Sequence, residues 1–123
     1  MEDSMDCQDR ELIEKIIADR KRAHGFYLLR SDVYRAFDKM QKTCAADGAL
    51  SKMHRELVAL GISIITDCES CMEWHTGQAL QAGATPEQIV DVVGVAIEMA
   101  GGRATVSARF AMKALEYHSE SGQ

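Results

Sequence analysis

The stretch Thr85–Ala100, TPEQIVDVVGVAIEMA, decides the fold class. Its centre, IVDVVGVAI, is rich in β-branched residues and by propensity alone would pass for a strand. Its start argues otherwise. Thr85 and Gln88 have the spacing of a capping box, and Pro86 occupies the first helical position, where a missing N–H costs nothing. The apolar positions Ile89, Val92, Val93, Ala96, Met99 and Ala100 then recur at helical period. The stretch reads as a helix, broken by Gly101-Gly102.

Working outward, helical periodicity covers the rest of the chain, which predicts an all-α domain of six helices. A helix from about Gln8 to Arg22 carries Leu12, Ile13, Ile16 and Ile17, with Gly25 as its stop. A second, from Ser31 to about Ala46, has Val33, Phe37, Met40 and Cys44 on one face. A third begins at the cap Ser51 and runs to about Thr66. Met53, Leu57, Leu60 and Ile64 line one side of it, and Val58, Ile62 and Ile65 line another. A helix so broadly apolar is buried centrally or lies in a subunit interface. The fourth helix is expected to start at the cap Asp67 and stop at Gly83; the sixth runs from about Arg103 to Tyr117. The sixth has a small-residue face of Ala104, Ser107, Ala108 and Ala111. The whole is read as one domain, residues 1–123, with flexible ends at about 1–7 and 119–123.

The formal net charge of −5 argues against a nucleic-acid or anionic-membrane surface, since both need a basic patch. The run Arg20-Lys21-Arg22 reads as the solvated end of a helix. No apolar run approaches the roughly 20 residues of a membrane span, and the acidic start MEDSMDCQDRE has no signal-peptide pattern. A cytoplasmic, reducing compartment is expected. There a close cysteine pair is more often catalytic or metal-binding than structural.

Such a pair stands in Asp67–His75, DCESCMEWH. Cys68 and Cys71 have CxxC spacing, which allows a disulfide, and His75 follows one helical turn later. On a helix the three fall within about 60° of one face. The helix N-terminus favours thiolate, and His75 is placed to take the proton. Glu56 lies on the preceding helix at the margin of an apolar face, where partial desolvation makes a carboxylate a better base. A turn near Asp67 would bring Glu56 toward His75 and set carboxylate, imidazole and thiol in series as a proton relay. Two other readings stand beside this one. Cys68, Cys71, His75 and Glu56 could ligate zinc, although structural zinc sites draw on two separated pairs and no second pair exists. Alternatively, the thiols and the imidazole are simply packed. Of the other cysteines, Cys7 is placed in a frayed terminus and Cys44 as a small buried apolar residue. Trp74 reads as core or interface, His54 and His118 as surface residues, and His24 as lying near a helix C-terminus. Nothing singles out Arg103.

The pattern Glu56, eleven residues, Cys68-Glu69-Ser70-Cys71, three residues, His75 resembles the AhpD-like/carboxymuconolactone decarboxylase superfamily, in its alkylhydroperoxidase branch. The Gly83 to Glu87 turn into an apolar helix fits as well, and the resemblance spans about Asp32 to Ala114. It implies a helical fold that assembles as trimers or hexamers and a thiol peroxidase with antioxidant activity. It also implies no resident cofactor, an external dithiol donor of lipoyl or thioredoxin type, and a hydroperoxide substrate. Cys71 would attack the peroxide and pass through a sulfenic acid. Cys68 would resolve it as a redox disulfide, while His75 and Glu56 relay protons. In the best-known branch a histidine precedes the second cysteine; here Ser70 stands there. The alternatives are a carboxymuconolactone decarboxylase-type lyase using His75 and Glu56, and a non-enzymatic redox or zinc-binding oligomeric module.

Overall fold

A computed structural model describes residues 5–120. Among these residues there are six helices and no strand. They are α1 (Cys7–Leu28), α2 (Asp32–Ala45), α3 (Lys52–Ile65), α4 (Glu69–Gln81), α5 (Pro86–Ala100) and α6 (Gly102–Glu120). The ambiguous β-branched segment is α5. Both halves of its capping box are made: Gln88 N–H donates to Thr85 Oγ1 at 3.1 Å, and Thr85 N–H donates to Gln88 Oε1 at 2.9 Å.

The core is built by α3, α4, α5 and α6. Helix α4 packs between α3 and α6, and α5 closes against α3 and α6. Leu60 and Ile64 of α3 and Met72 of α4 are fully buried. Each such side chain contributes about 1.5–3 kcal/mol of transfer free energy. The small-residue face of α6 is buried as expected, at Ala104, Ser107, Ala108 and Ala111, and continues through Ala114.

The first two helices depart from expectation. Helix α1 does not stop near Gly25 but runs through it to Leu28. A single interior glycine costs a helix only about 1 kcal/mol, and α1 is anchored at its start by Asp6, whose carboxylate accepts from the N–H groups of Gln8 and Asp9. Arg20-Lys21-Arg22 is therefore mid-helix, not a solvated end, and His24 lies inside the helix with Nδ1 2.9 Å from the Tyr34 hydroxyl. Leu12, expected in the buried stripe, is exposed, whereas Ile13 is fully buried. Helix α2 buries no residue at all. Its expected core face is open to solvent, with Val33 81% exposed, and Cys44 is exposed rather than buried. The reason is that α2 rests mainly on α1 and α3, and no other helix covers its outer side. The second apolar face of α3 is likewise open at Val58, Ile62 and Ile65. At the ends, Cys7 is the first residue of α1, the Met5 N–H donates to Glu120 Oε2 at 2.6 Å, and α6 stays helical through Ser119 and Glu120. The remainder of the expected flexible ends lies outside the described residues.

A buried carboxylate ties three of these helices together. Glu73 of α4 is 1% exposed. Its Oε2 is 2.7 Å from Nε2 of His118 on α6, and its Oε1 accepts from Arg20 of α1. His118 is thus an interior tie, not the surface residue expected. Burial pushes the Glu73 carboxyl up, but the hydrogen bonds from His118 and Arg20, with their charges, outweigh it and hold it below its ordinary value. The imidazole fits because residue 77 is glycine. A Cβ there would lie 2.8 Å from Cε1 and 2.9 Å from Nε2 of His118.

Two outcomes follow from this tie. Gly77→Ala is expected to destabilise the fold, although alanine is the better helix former by about 1 kcal/mol, because it displaces His118 from Glu73; urea denaturation reads the sign. Glu73→Ala is expected to cost about 3 kcal/mol by leaving Arg20 without its counter-ion. Since the native Glu73 carboxyl titrates below its ordinary 4.5, its contribution is fully present above that pH and fades as pH falls through the lowered native value. The stability gap between wild type and Glu73→Ala should therefore shrink in acid.

Candidate active site

The site begins at the turn between α3 and α4. The Asp67 N–H donates to Ile64 O at 3.2 Å and the Cys68 N–H donates to Ser63 O at 3.0 Å. That pair of bonds closes the end of α3 as a Schellman motif, with Asp67 in the left-handed region at φ 56°. The same motif ends α4 at Gly83, φ 107°, where glycine fills the position. Asp67 is therefore the last element of α3 and not the cap of α4, as the sequence led one to expect. The cap is Cys68 itself, whose Sγ accepts from the Cys71 N–H at 3.3 Å. The chain reverses in so few residues that α3 and α4 are forced side by side.

Cys68 and Cys71 are joined by a disulfide at this helix start. Both are partly buried. One turn further, His75 Nδ1 is 2.7 Å from Glu56 Oε1. Glu56 is 3% exposed, so this carboxylate is enclosed as its sequence neighbours implied. Glu56 and His75 thus meet across the α3–α4 pair, and the Cys68–Cys71 disulfide lies one helical turn from His75 toward the start of α4. Because Nδ1 is engaged by the carboxylate, Nε2 is the ring nitrogen left to exchange a proton. Ser70, in the position of the second relay histidine, is exposed in the first turn of α4.

Two residues join the site that sequence reasoning did not single out. Lys52 Nζ is 3.0 Å from Glu56 Oε2 and 3.0 Å from Gln78 Oε1. The Lys52–Glu56 contact had a visible signal in the i, i+4 spacing; Gln78 had none, because it arrives from another helix. Lys52, Glu56 and Gln78 form one wall of a cleft of about 550 Å³ whose other walls include Trp74, Tyr34 and His24. Trp74 is at the surface beneath Arg20, whose guanidinium carbon lies 4.8 Å from the ring centroid. His54 stays exposed with Nδ1 2.8 Å from Ser51 Oγ, and Arg103 is exposed. Among the described residues no three or more His, Cys, Asp or Glu side chains are grouped as a metal site.

Residues 31–114 match the model of the carboxymuconolactone decarboxylase family. The chain belongs to that family. The carboxymuconolactone decarboxylase match covers α2 to most of α6 and so contains Lys52, Glu56, Cys68, Cys71, His75 and Gln78. An uncharacterised protein of Cupriavidus necator is 39% identical over 82 residues, which cover 67% of this chain and 70% of that one. The uncharacterised protein 4 of the cox locus of Paracoccus denitrificans is 40% identical over 81 residues, covering 66% and 73%. Among solved structures, the apo form of a carboxymuconolactone decarboxylase family protein from Legionella pneumophila superposes with a TM-score of 0.77 at 24% identity, covering 92% of this chain and 99% of that one. A Thermotoga maritima protein gives a TM-score of 0.81 at 24% identity over 88% and 96%. At these identities the structural likeness concerns the fold. A second crystal structure of that same Thermotoga maritima protein, with a TM-score of 0.79 at 23% identity over 86% and 91%, describes it as a carboxymuconolactone decarboxylase family protein for which a part in an antioxidative response has been suggested.

The left-handed residue gives a test of the turn that aligns the site. Asp67→Val should cost about 1–2 kcal/mol, since a β-branched side chain is strained at that φ, whereas Asp67→Gly should cost nothing measurable. Thermal denaturation of the two variants side by side checks it.

Proposed function

We propose that the protein is a thiol-dependent peroxidase and disulfide oxidoreductase of the alkylhydroperoxidase type. The observation that carries this reading is the closed Cys68–Cys71 disulfide at the start of α4, one turn from a His75 that is bonded to a buried Glu56. A lyase reading uses the same Glu56–His75 pair but leaves the bonded thiols without a task. A zinc module would need the two sulfurs free of each other.

In the proposed cycle the Cys71 thiol gives its proton to Nε2 of His75, whose Nδ1–H is held by Glu56. The Cys71 thiolate attacks the distal oxygen of a hydroperoxide ROOH. The O–O bond breaks, the sulfur becomes a sulfenic acid, and the alkoxide takes the proton from His75 and leaves as ROH. The Cys68 thiol then attacks the sulfenic sulfur, forming the disulfide and releasing water. An external dithiol of lipoyl or thioredoxin class reduces it by exchange and leaves as its own disulfide. No resident cofactor takes part. The helix N-terminus favours negative charge on both sulfurs, and the backbone N–H of Cys71 adds to this at Cys68, the resolving sulfur. With Ser70 in place of a second histidine, His75 and Glu56 carry the proton traffic alone.

We also propose assembly as a trimer or hexamer through the exposed apolar residues of α2, α3 and α5, including Val33, Met40, Val58, Ile62, Val95 and Met99. Among the described residues no helix is long and apolar enough to cross a membrane. The site chemistry suits a reducing, cytoplasmic setting, and the net charge of −5 does not favour nucleic acid.

After a hydroperoxide pulse, mass spectrometry should find the Cys68–Cys71 disulfide, and Cys68→Ser should trap a sulfenic acid at Cys71. Cys71→Ser should lose peroxide consumption. Unchanged consumption in Cys71→Ser would sink the mechanism, and turnover of a lactone by a variant lacking both cysteines would point to the lyase.

A further inference from the structure

The Glu56 carboxylate has two oxygens, and the proposed cycle uses only one. Oε1 meets His75, while Oε2 meets the Lys52 ammonium, which also reaches Gln78 Oε1 of α4. Helix stability does not account for a lysine at this position. Lys52 is the first residue of α3, where the positive end of the helix dipole disfavours a cation. Lysine N-terminal to glutamate at i, i+4 is also the weaker order of such a pair. What the position provides is a three-donor group that joins the carboxylate of one helix to the amide of the next.

We propose that Lys52 is a positioning residue of the proton relay: by bridging Glu56 and Gln78 it fixes the carboxylate so that His75 donates from Nδ1 and keeps Nε2 as its proton-accepting nitrogen. An ionised carboxylate is acceptor-only, so an imidazole facing it must donate. With Oε2 held by an ammonium, moving the Nδ1 proton onto Glu56 would leave that ammonium beside a neutral acid, which opposes the transfer. Without Lys52 that opposition is gone: the buried carboxylate can take the Nδ1 proton and, once neutral, present its O–H to Nδ1, so that His75 carries its proton on Nε2 instead. The other charged and titratable groups facing this cleft are already engaged or distant in chemistry. Arg20 of α1 is held by Glu73, and His24 by Tyr34. Lys42 of α2 is 3.0 Å from Asp38. Lys21 of α1 lines the cleft as an exposed cation without an ion pair among the described residues. Lys52 alone among these cations touches Glu56.

This inference deepens the peroxidase reading and rests on it for its importance, but its first test does not. Nitrogen NMR of His75 in the intact, reduced protein reports the tautomer directly. The wild type should show the Nδ1–H form, Lys52→Met a mixture of both tautomers, and Lys52→Arg a return to Nδ1–H. The second readout is the pH profile of single-turnover disulfide formation with hydrogen peroxide. In Lys52→Met the rate near neutrality should fall about tenfold, the size expected when a charged hydrogen bond is lost. The acid limb of the profile should move to higher pH, because a cation opposing the imidazolium is gone; Lys52→Arg should restore both. A merely structural lysine would change melting temperature without moving the limb. A Lys52→Met protein that keeps the single Nδ1–H tautomer overturns the inference whatever its activity. A Cys71→Ser protein that still consumes peroxide overturns the peroxidase reading and leaves the tautomer result standing.

Discussion

The site depends on one constraint, the reversal of the chain at Asp67. A left-handed residue at that point ends α3 and lets Cys68 cap α4 at once, so the two helices lie against each other. The contacts of Glu56 with His75 and of Lys52 with Gln78 cross that pair. Glu56 reaches His75 and Lys52 reaches Gln78 because the helices are side by side, and the disulfide occupies the first turn after the reversal. The carboxylate is enclosed for the same reason: the packing that buries Leu60 and Ile64 on α3 and Met72 on α4 leaves Glu56 almost no path to water. An enclosed carboxylate must find donors, and it finds an imidazole and an ammonium.

The molecule uses the same solution twice. On the opposite side of α4, Glu73 is also buried and also bonded to an imidazole and a cation, His118 and Arg20. The two clusters differ in what stands next to them. Glu56–His75 is followed toward the helix start by two sulfurs. Glu73–His118 is followed by the close approach of α6 over Gly77. In the proposed cycle the first therefore moves protons to and from the sulfur, while the second holds α1, α4 and α6 in place. A buried carboxylate–imidazole pair is not a function in itself; the neighbouring atoms decide its use.

Much of the fold was legible because its signals are local. The capping box of Thr85 and Gln88 overrode a strand-like composition in α5, Ser51 marked the start of α3, and Gly83 marked the end of α4. The shared face of Cys68, Cys71 and His75 was legible through their spacing, since the three lie within two turns of one helix, and the approach of Glu56 to His75 followed from the short turn at Asp67. The misreadings share a cause. Gly25 looked like a stop, but one glycine is outweighed by a 22-residue helix that is capped by Asp6 and rests on α2, α4 and α6. Asp67 looked like a cap, but the carboxylate that would have capped α4 belongs to a residue spent on closing α3. Val33, Phe37, Met40 and Cys44 looked like a core face, but periodicity reports which residues share a face and not whether anything covers it.

By itself, then, the sequence determined the helical class, most helix starts and the thiol–imidazole face of α4, because caps and periodicities act over a few residues. Tertiary structure alone decided that Glu73 meets His118. His118 and His54 are alike in the sequence, yet one is bonded to a buried glutamate and the other faces solvent. Lys52 and Gln78 are separated by 26 positions and meet only because α3 and α4 are antiparallel neighbours. Long-range partners of this kind follow from how helices pack, and packing depends on the summed burial of the core rather than on any local pattern of residues.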